Sequence, residues 1–237
     1  MTDPISGATG RIALVGDTHG RNQQAVRELG SLAPELALHV GDFDAERPLP
    51  ELYSDLFRTK TSFYWIHGNH DVDREHWYDN TLGSAWSPNC LHSRVLRWGN
   101  LRIAGLGGRF IEKIWHPERG QPRFAYRRDY LAVCGKGNRW RGGLPRKVRG
   151  AIWWEDIERL WDQEADILIT HEAPTPHHYG HSVIAELAQA MGVRLIVHGH
   201  LHEAYETMTP DGIPVIGLAQ GEIRLLKGDL VPADSKD

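Results

Sequence analysis

Short apolar runs alternate with polar loops along this chain, and they fall into two zones of different rhythm. Residues 11–15 (RIALV), 36–40 and 63–66 are apolar stretches bounded by glycine or polar residues, and they read as buried strands. Between the first two, residues 22–32 place Ala25, Val26 and Leu29 at helical spacing. After the second, Pro48 and Pro50 open a predicted helix containing Leu52, Leu56 and Phe57. A short helical stretch follows near residues 74–78. The rhythm then changes to strands without helices between them, residues 91–96 and 101–106, joined by Gly99-Asn100, a hairpin signal. Helices over residues 153–161 and 182–191 alternate with strands at 167–169 and 195–197, and the chain closes on short strands around 204–208, 214–218 and 222–226. Residues 107–150 break the pattern. They are rich in Gly, Pro, Arg and aromatics and carry no steady period, so they read as a functional insertion or lid rather than core.

Composition narrows the class. A chain of 237 residues with 41% apolar and 24% charged residues is expected to form one soluble globular domain over 1–237, with the insertion at about 107–150. Residues 1–10 lack a basic segment followed by an apolar one, and nowhere do eighteen apolar residues run together, so neither export nor membrane insertion is expected. Cys90 and Cys134 have neither metal-ligand nor disulfide spacing, which fits a cytoplasmic protein with buried or partly buried thiols. A net charge of −4 argues against a nucleic-acid binder on overall charge. Residues 119–149, however, hold ten Lys or Arg against the single acid Asp129, a local +9 that leaves −13 for the remainder. Arg127, Arg128, Arg139 and Arg141, interleaved with Tyr126, Tyr130 and Trp140, are the candidate substrate contacts there, since such a mixture suits phosphates and stacked bases.

The candidate chemistry lies where the strands end. Their loops carry Asp17 and His19, Asp42, Asn69 and His70, His171, and His200 and His202. Open α/β sheets collect reactive groups on such loops. In an extended chain residues two apart point the same way, so Asp17 with His19, and His200 with His202, should each grip one ion. Carboxylate, imidazole and amide oxygen without thiolate suit a divalent first-row metal rather than a structural zinc. Asp17, His19, Asp42, Asn69, His171, His200 and His202 are too many donors for one ion, and with one carboxylate bridging they suit two ions about 3.5–4 Å apart.

In order, Asp17-x-His19, Gly41-Asp42, Gly68-Asn69-His70-Asp71, His171 after an apolar strand, and Gly199-His200-x-His202 resemble the signature of the calcineurin-like metallophosphoesterases. The resemblance implies a four-layer αββα sandwich with two mixed β-sheets. It also implies that Asp17, His19 and His202 hold one metal, that Asn69, His171 and His200 hold the other, and that Asp42 bridges them. Manganese is the first expectation, with iron, zinc, cobalt and nickel as alternatives. A water shared by the two ions is then the nucleophile on a phosphoester, small molecule or nucleic acid. His70, beside a ligand but not itself one, is placed to protonate the leaving group, and Asp71 to orient its ring.

Departures limit the substrate. The protein Ser/Thr phosphatases share Gly-Asp-x-His-Gly, but residues 41–47 (GDFDAER) have neither their spacing nor their arginine, and the third motif ends in Asp71. The loop His171-Glu172-Ala173-Pro174 looks closer to small bacterial phosphodiesterase-like members. A phosphodiesterase or phosphomonoesterase is expected, with a nuclease using the basic insertion, or a binding module without turnover, as alternatives. His39, His67 and His198 read as core residues, and His177, His178 and His181 as neighbours of the His171 loop.

Overall fold

The computed structural model describes residues 11–226, so the reading of residues 1–10 lies outside the described residues. The first half runs β1 (Ile12–Val15), α1 (Asn22–Leu32), β2 (Leu36–His39), α2 (Leu49–Leu52), α3 (Leu56–Thr59), β3 (Ser62–Trp65) and α4 (Glu75–Asn80). The second runs β4 (Arg94–Trp98), β5 (Leu101–Leu106), α5 (Arg127–Val133), α6 (Trp154–Trp161), β6 (Ile167–Thr170), α7 (Ser182–Ala190), β7 (Leu195–His198), β8 (Tyr205–Met208), β9 (Pro214–Gly217) and β10 (Ile223–Leu226).

Two mixed sheets result, in the orders β10-β1-β2-β3 and β4-β5-β6-β7-β9-β8. Strands β1, β2 and β3 run parallel, as do β5, β6, β7 and β9, while β10, β4 and β8 pair antiparallel at the edges. Alternate side chains of each strand face different cores. Ile12 and Leu14, Leu36 and Leu38, Ile167 and Ile169, and Leu195 and Val197 fill the space between the sheets. Ala13 and Val15 pack outward with Ala25, Val26 and Leu29 of α1. Leu168 and Ile196 pack outward with Ile157 of α6 and Ile184 and Leu187 of α7. Both faces of every central strand are therefore apolar, which is why the strands read as continuous runs rather than alternating ones. The four-layer αββα arrangement expected from the resemblance is present.

Three local expectations change. The helix opened by Pro48 and Pro50 is two short helices, α2 and α3, because the chain turns between them to bury Tyr53, whose hydroxyl donates to Asn22 Oδ1 at 3.0 Å. Leu56 is buried, while Phe57 is 66% exposed. Strand β4 begins at Arg94 rather than residue 91, since Ser93 takes a left-handed backbone (φ 57°) that breaks the ladder. The insertion also contributes to the core: Phe110, Ile114, Trp115, Leu144 and Val148 are buried in the outer cluster with α6 and α7. Its core residues are separated by irregular runs of Gly, Pro and Arg, so no period betrays them. Among the described residues no helix is long and apolar enough to cross a membrane.

Candidate metal centre

Parallel strands deliver their carboxyl ends to one edge, where the polar loops lock onto one another. His19 N–H donates to Asp42 O and Gly20 N–H to Phe43 O, both at 2.9 Å, joining the loop after β1 to that after β2. The buried Asp71 carboxylate accepts from the amides of Asp42 (3.1 Å), Phe43 (2.9 Å) and Gly68 (2.8 Å), so it staples the loop after β3 to the loop after β2. Asp17 and Asp42 are each fixed by an amide from another loop: His200 N–H donates to Asp17 Oδ2 and His70 N–H to Asp42 Oδ1, both at 2.7 Å. These contacts need tight backbone. His19, Asp42, Asp44, His200 and His202 all adopt positive φ, a conformation that non-glycine residues enter at a cost and that clusters at functional sites. A β-carbon on Gly68 would lie 2.1 Å from Asp42 Oδ1, and one on Gly199 2.2 Å from Asp17 Oδ1, so only glycine leaves room for the carboxylates.

The donor atoms collect into two groups. In the first, His202 Nε2 lies 3.2 Å from Asp17 Oδ2 and 2.9 Å from His19 Nε2. In the second, His171 Nε2 lies 3.3 Å from Asp42 Oδ2 and 3.1 Å from Asn69 Oδ1, with His200 close by. Asp42 Oδ2 is also 3.7 Å from His19 Nε2, which places one oxygen between the groups. His200 and His202 do not act as a pair. The positive φ at both turns them apart, one into each group, and the argument from an extended chain fails there.

Metal-ligand chemistry fits these atoms. The His171 Nδ1–H donates to Val40 O at 2.8 Å, leaving the Nε2 lone pair aimed at the oxygens of Asp42 and Asn69, an arrangement stable only with a cation, proton or metal, between them. Asp17 Oδ1 is buried without a hydrogen-bond partner. Burial disfavours charge on His171, but Asp42 and Asp17 outweigh it and raise its pKa to about 10. Burial likewise pushes the Asp42 carboxyl up, and the charge of His171 brings it down below the usual carboxylate range. His200 is lowered to about 3 by burial and by His171, so it is a neutral donor. The hydrogen bond that His19 Nδ1–H donates to Asp44 Oδ2 at 3.1 Å is the main cause raising His19, and it turns Nε2 inward.

His70 stands at the rim, 43% exposed, its ring 5.0 Å from that of His19. Asp71 does not reach it. The carboxylate beside His70 Nδ1 is Asp73, with Oδ2 at 3.3 Å, because residues 70–72 form a 3₁₀ turn that brings positions three apart onto one side. Burial, then the charge of Asp42, push the Asp71 carboxyl upward, consistent with an internal staple rather than a rim group.

The candidate arginines are engaged elsewhere. Arg127 forms a bidentate pair with the buried Asp156, both contacts 2.7 Å, and a further 2.7 Å bond to Glu155. Arg141 bonds Asp79 at 2.6 Å and Glu75 at 2.5 Å on α4. Arg139 donates to Leu131 O, and Arg128 pairs loosely with Asp129 over the Tyr126 ring. The cations that line a cleft with Asn69 and His70 are Arg109 and Lys147. Neither belongs to a motif, and Asp44, Asp73 and Arg109 passed unnoticed in the sequence for that reason. His39 is a core residue stacked 3.9 Å from Phe43, and His67 and His198 are also buried. The buried Glu172 accepts from Phe110 N–H and lies 3.7 Å from His200 Nε2 and 3.8 Å from His181 Nε2.

Comparison with known proteins agrees with this geometry. The model of the calcineurin-like phosphoesterase family matches residues 10–204. An uncharacterized protein from Haemophilus influenzae is 44% identical over 208 residues, 87% of this chain and 90% of that one. The fold is similar to that of a dimetal phosphatase from Danio rerio (TM-score 0.56, 13% identity, 89% of this chain and 87% of that one). It is also similar to phosphopantetheinyl hydrolase from Mycobacterium tuberculosis (TM-score 0.54, 17% identity, 93% and 96%). With the family model spanning most of its length and the motif residues gathered at one edge of the sheets, the chain belongs to the calcineurin-like phosphoesterases, a family of metal-dependent phosphoester hydrolases.

Proposed function

We propose that this protein hydrolyses phosphoesters at a centre of two divalent ions, with Asp17, His19 and His202 holding one, Asn69, His171 and His200 the other, and Asp42 shared. The observation that carries the reading is Asp42 Oδ2, 3.3 Å from a nitrogen of one donor group and 3.7 Å from a nitrogen of the other. Ions bound there would make water a competent nucleophile near neutral pH and offset the charge that builds on the phosphoryl oxygens. The protein's part is to fix that charge and manage a proton. Val40 O and Asp44 set the orientations of the His171 and His19 rings. His70 donates a proton to the departing oxygen, with Asp73 holding its Nδ1 side.

The test couples stoichiometry to turnover. Chelated protein titrated with Mn²⁺ should take up two ions, and it should then hydrolyse an aryl phosphomonoester, an aryl phosphodiester or both. Uptake of one ion removes the shared-carboxylate reading. Full loading without turnover of any ester, also with Zn²⁺, Co²⁺ or Ni²⁺, makes the chain a binding module.

A further inference from the structure

The cleft beside His70 is more than a path to the donor atoms. It has a volume of about 220 Å³, and Asn69, His70, Asp73, Arg109 and Lys147 are among the residues that line it. At roughly 30 Å³ for each water, that is space for about seven waters, more than one phosphoryl group fills. Arg109 is exposed and makes no side-chain hydrogen bond or ion pair among the described residues, unlike Arg127, Arg139, Arg141, Arg146 and Arg149 of the same insertion. Lys147 Nζ has one partner, Asp73 Oδ1 at 3.6 Å, an exposed pair of little strength. Asp73 is also turned toward His70, so among the residues lining the cleft one carboxylate stands against two permanent cations, while the buried Glu172 behind the lining also feels the charge of Arg109.

We infer that Arg109 and Lys147 form a subsite for a second phosphate, so that the substrates of this protein are phosphoanhydrides or phosphoesters whose leaving group carries a phosphate of its own. The inference rests on the hydrolase reading above. A guanidinium offers paired donors that match two phosphate oxygens, and an ammonium beside it adds a point charge. The side of the reaction follows from His70, which lines this cleft and is the residue assigned to the leaving oxygen. Water's oxygen bonds to the scissile phosphorus and releases one proton to solvent, the bond from phosphorus to the leaving oxygen breaks, that oxygen takes the His70 proton, and His70 regains a proton from solvent. The leaving oxygen then departs bonded to the phosphate held by Arg109 and Lys147.

Two measurements on the manganese-loaded full chain decide the matter. One is the ratio of kcat/KM for a nucleoside diphosphate to that for an aryl monophosphate. The other is calorimetric affinity for inorganic pyrophosphate against inorganic phosphate. The wild type should favour the diphosphate and pyrophosphate. Arg109→Ala should lower both preferences by about tenfold, the loss expected for one charged hydrogen-bonding partner, while Arg109→Lys recovers part and the remote Arg58→Ala changes neither. Aryl ester turnover with no preference for the second phosphate, or preferences unmoved in Arg109→Ala, overturns the inference and leaves the hydrolase reading standing. Absence of turnover on any ester defeats the hydrolase reading, and pyrophosphate affinity then still decides whether the subsite exists. Phosphonoacetate binding as tightly as pyrophosphate would assign the cleft to a carboxylate and defeat the claim of a second phosphate.

Discussion

His70 and Asp42 are one hydrogen bond apart, the His70 amide donating to Asp42 Oδ1 at 2.7 Å, yet the proposed function gives their side chains separate tasks. His70→Ala leaves every donor of both groups in place and should keep the metal content of the wild type while losing about 10²–10⁴ in rate, the usual weight of one positioned acid. Asp42→Ala removes the oxygen lying between the groups and should lose both metal and rate. Elemental analysis of the two purified variants beside their kcat values checks this, and an equal loss of metal would take the proton-donor role from His70. At this scale the sequence was legible in which motif residues gather at one edge, but not in how His200 and His202 divide between the donor groups. It also misled within a motif, since Gly-Asn-His-Asp draws the eye to Asp71 when the 3₁₀ turn at 70–72 brings Asp73 to the ring instead.

Asp71 acts between elements, holding the ends of β2 and β3 together through three backbone amides. Asp71→Asn turns an NH₂ toward some of those amides and should cost about 1–3 kcal/mol for each buried donor left unpaired. Metal affinity should fall with it, because Asp42 rides on the loosened loop. Urea unfolding together with a manganese titration reads both effects. Unchanged stability with only kcat lowered would return Asp71 to the task of orienting His70. Legibility of the elements followed burial. Asn22–Leu32 and Leu101–Leu106 keep a clean apolar pattern, and their ends fall where that pattern places them. The split between α2 and α3 was hidden because Tyr53 is held from a distance by Asn22, a contact no local spacing reveals.

For the whole molecule, the insertion is tied to the second sheet by charge as well as by packing. Arg127 reaches the buried Asp156 at the start of α6, and His92 approaches the same carboxylate at 3.3 Å. Burial pushes the Asp156 carboxyl up, and His92 followed by Arg127 outweigh it, bringing it well below the usual range. A lowered carboxylate stabilises the fold above its ordinary pKa near 3.8 and loses that contribution as pH falls through the lowered one, so Asp156 should matter at neutral pH and fade only in strong acid. Arg127→Ala strands a buried charge and should cost about 3–5 kcal/mol at pH 7, with KM little changed. Thermal melts at pH 7 and pH 3 measure it; a raised KM with unaltered melting would restore Arg127 to the substrate. The charge run around Arg127 was visible in the sequence, but its partner lies 29 residues further on, which is why a structural pair looked like a binding surface.

The left-handed backbone at His19, Asp42, Asp44, His200 and His202 bears on how this protein can be hardened against heat. Each such turn sets a side chain's aim at a cost of roughly 1–2 kcal/mol, so the reactive edge is held in tension by the rest of the fold. Relaxing it with glycine would exchange precision for robustness. The room for improvement lies at Ala33 and Lys60, which close α1 and α3 in the same conformation far from the chemistry, and where glycine or asparagine would give firmness without touching the edge.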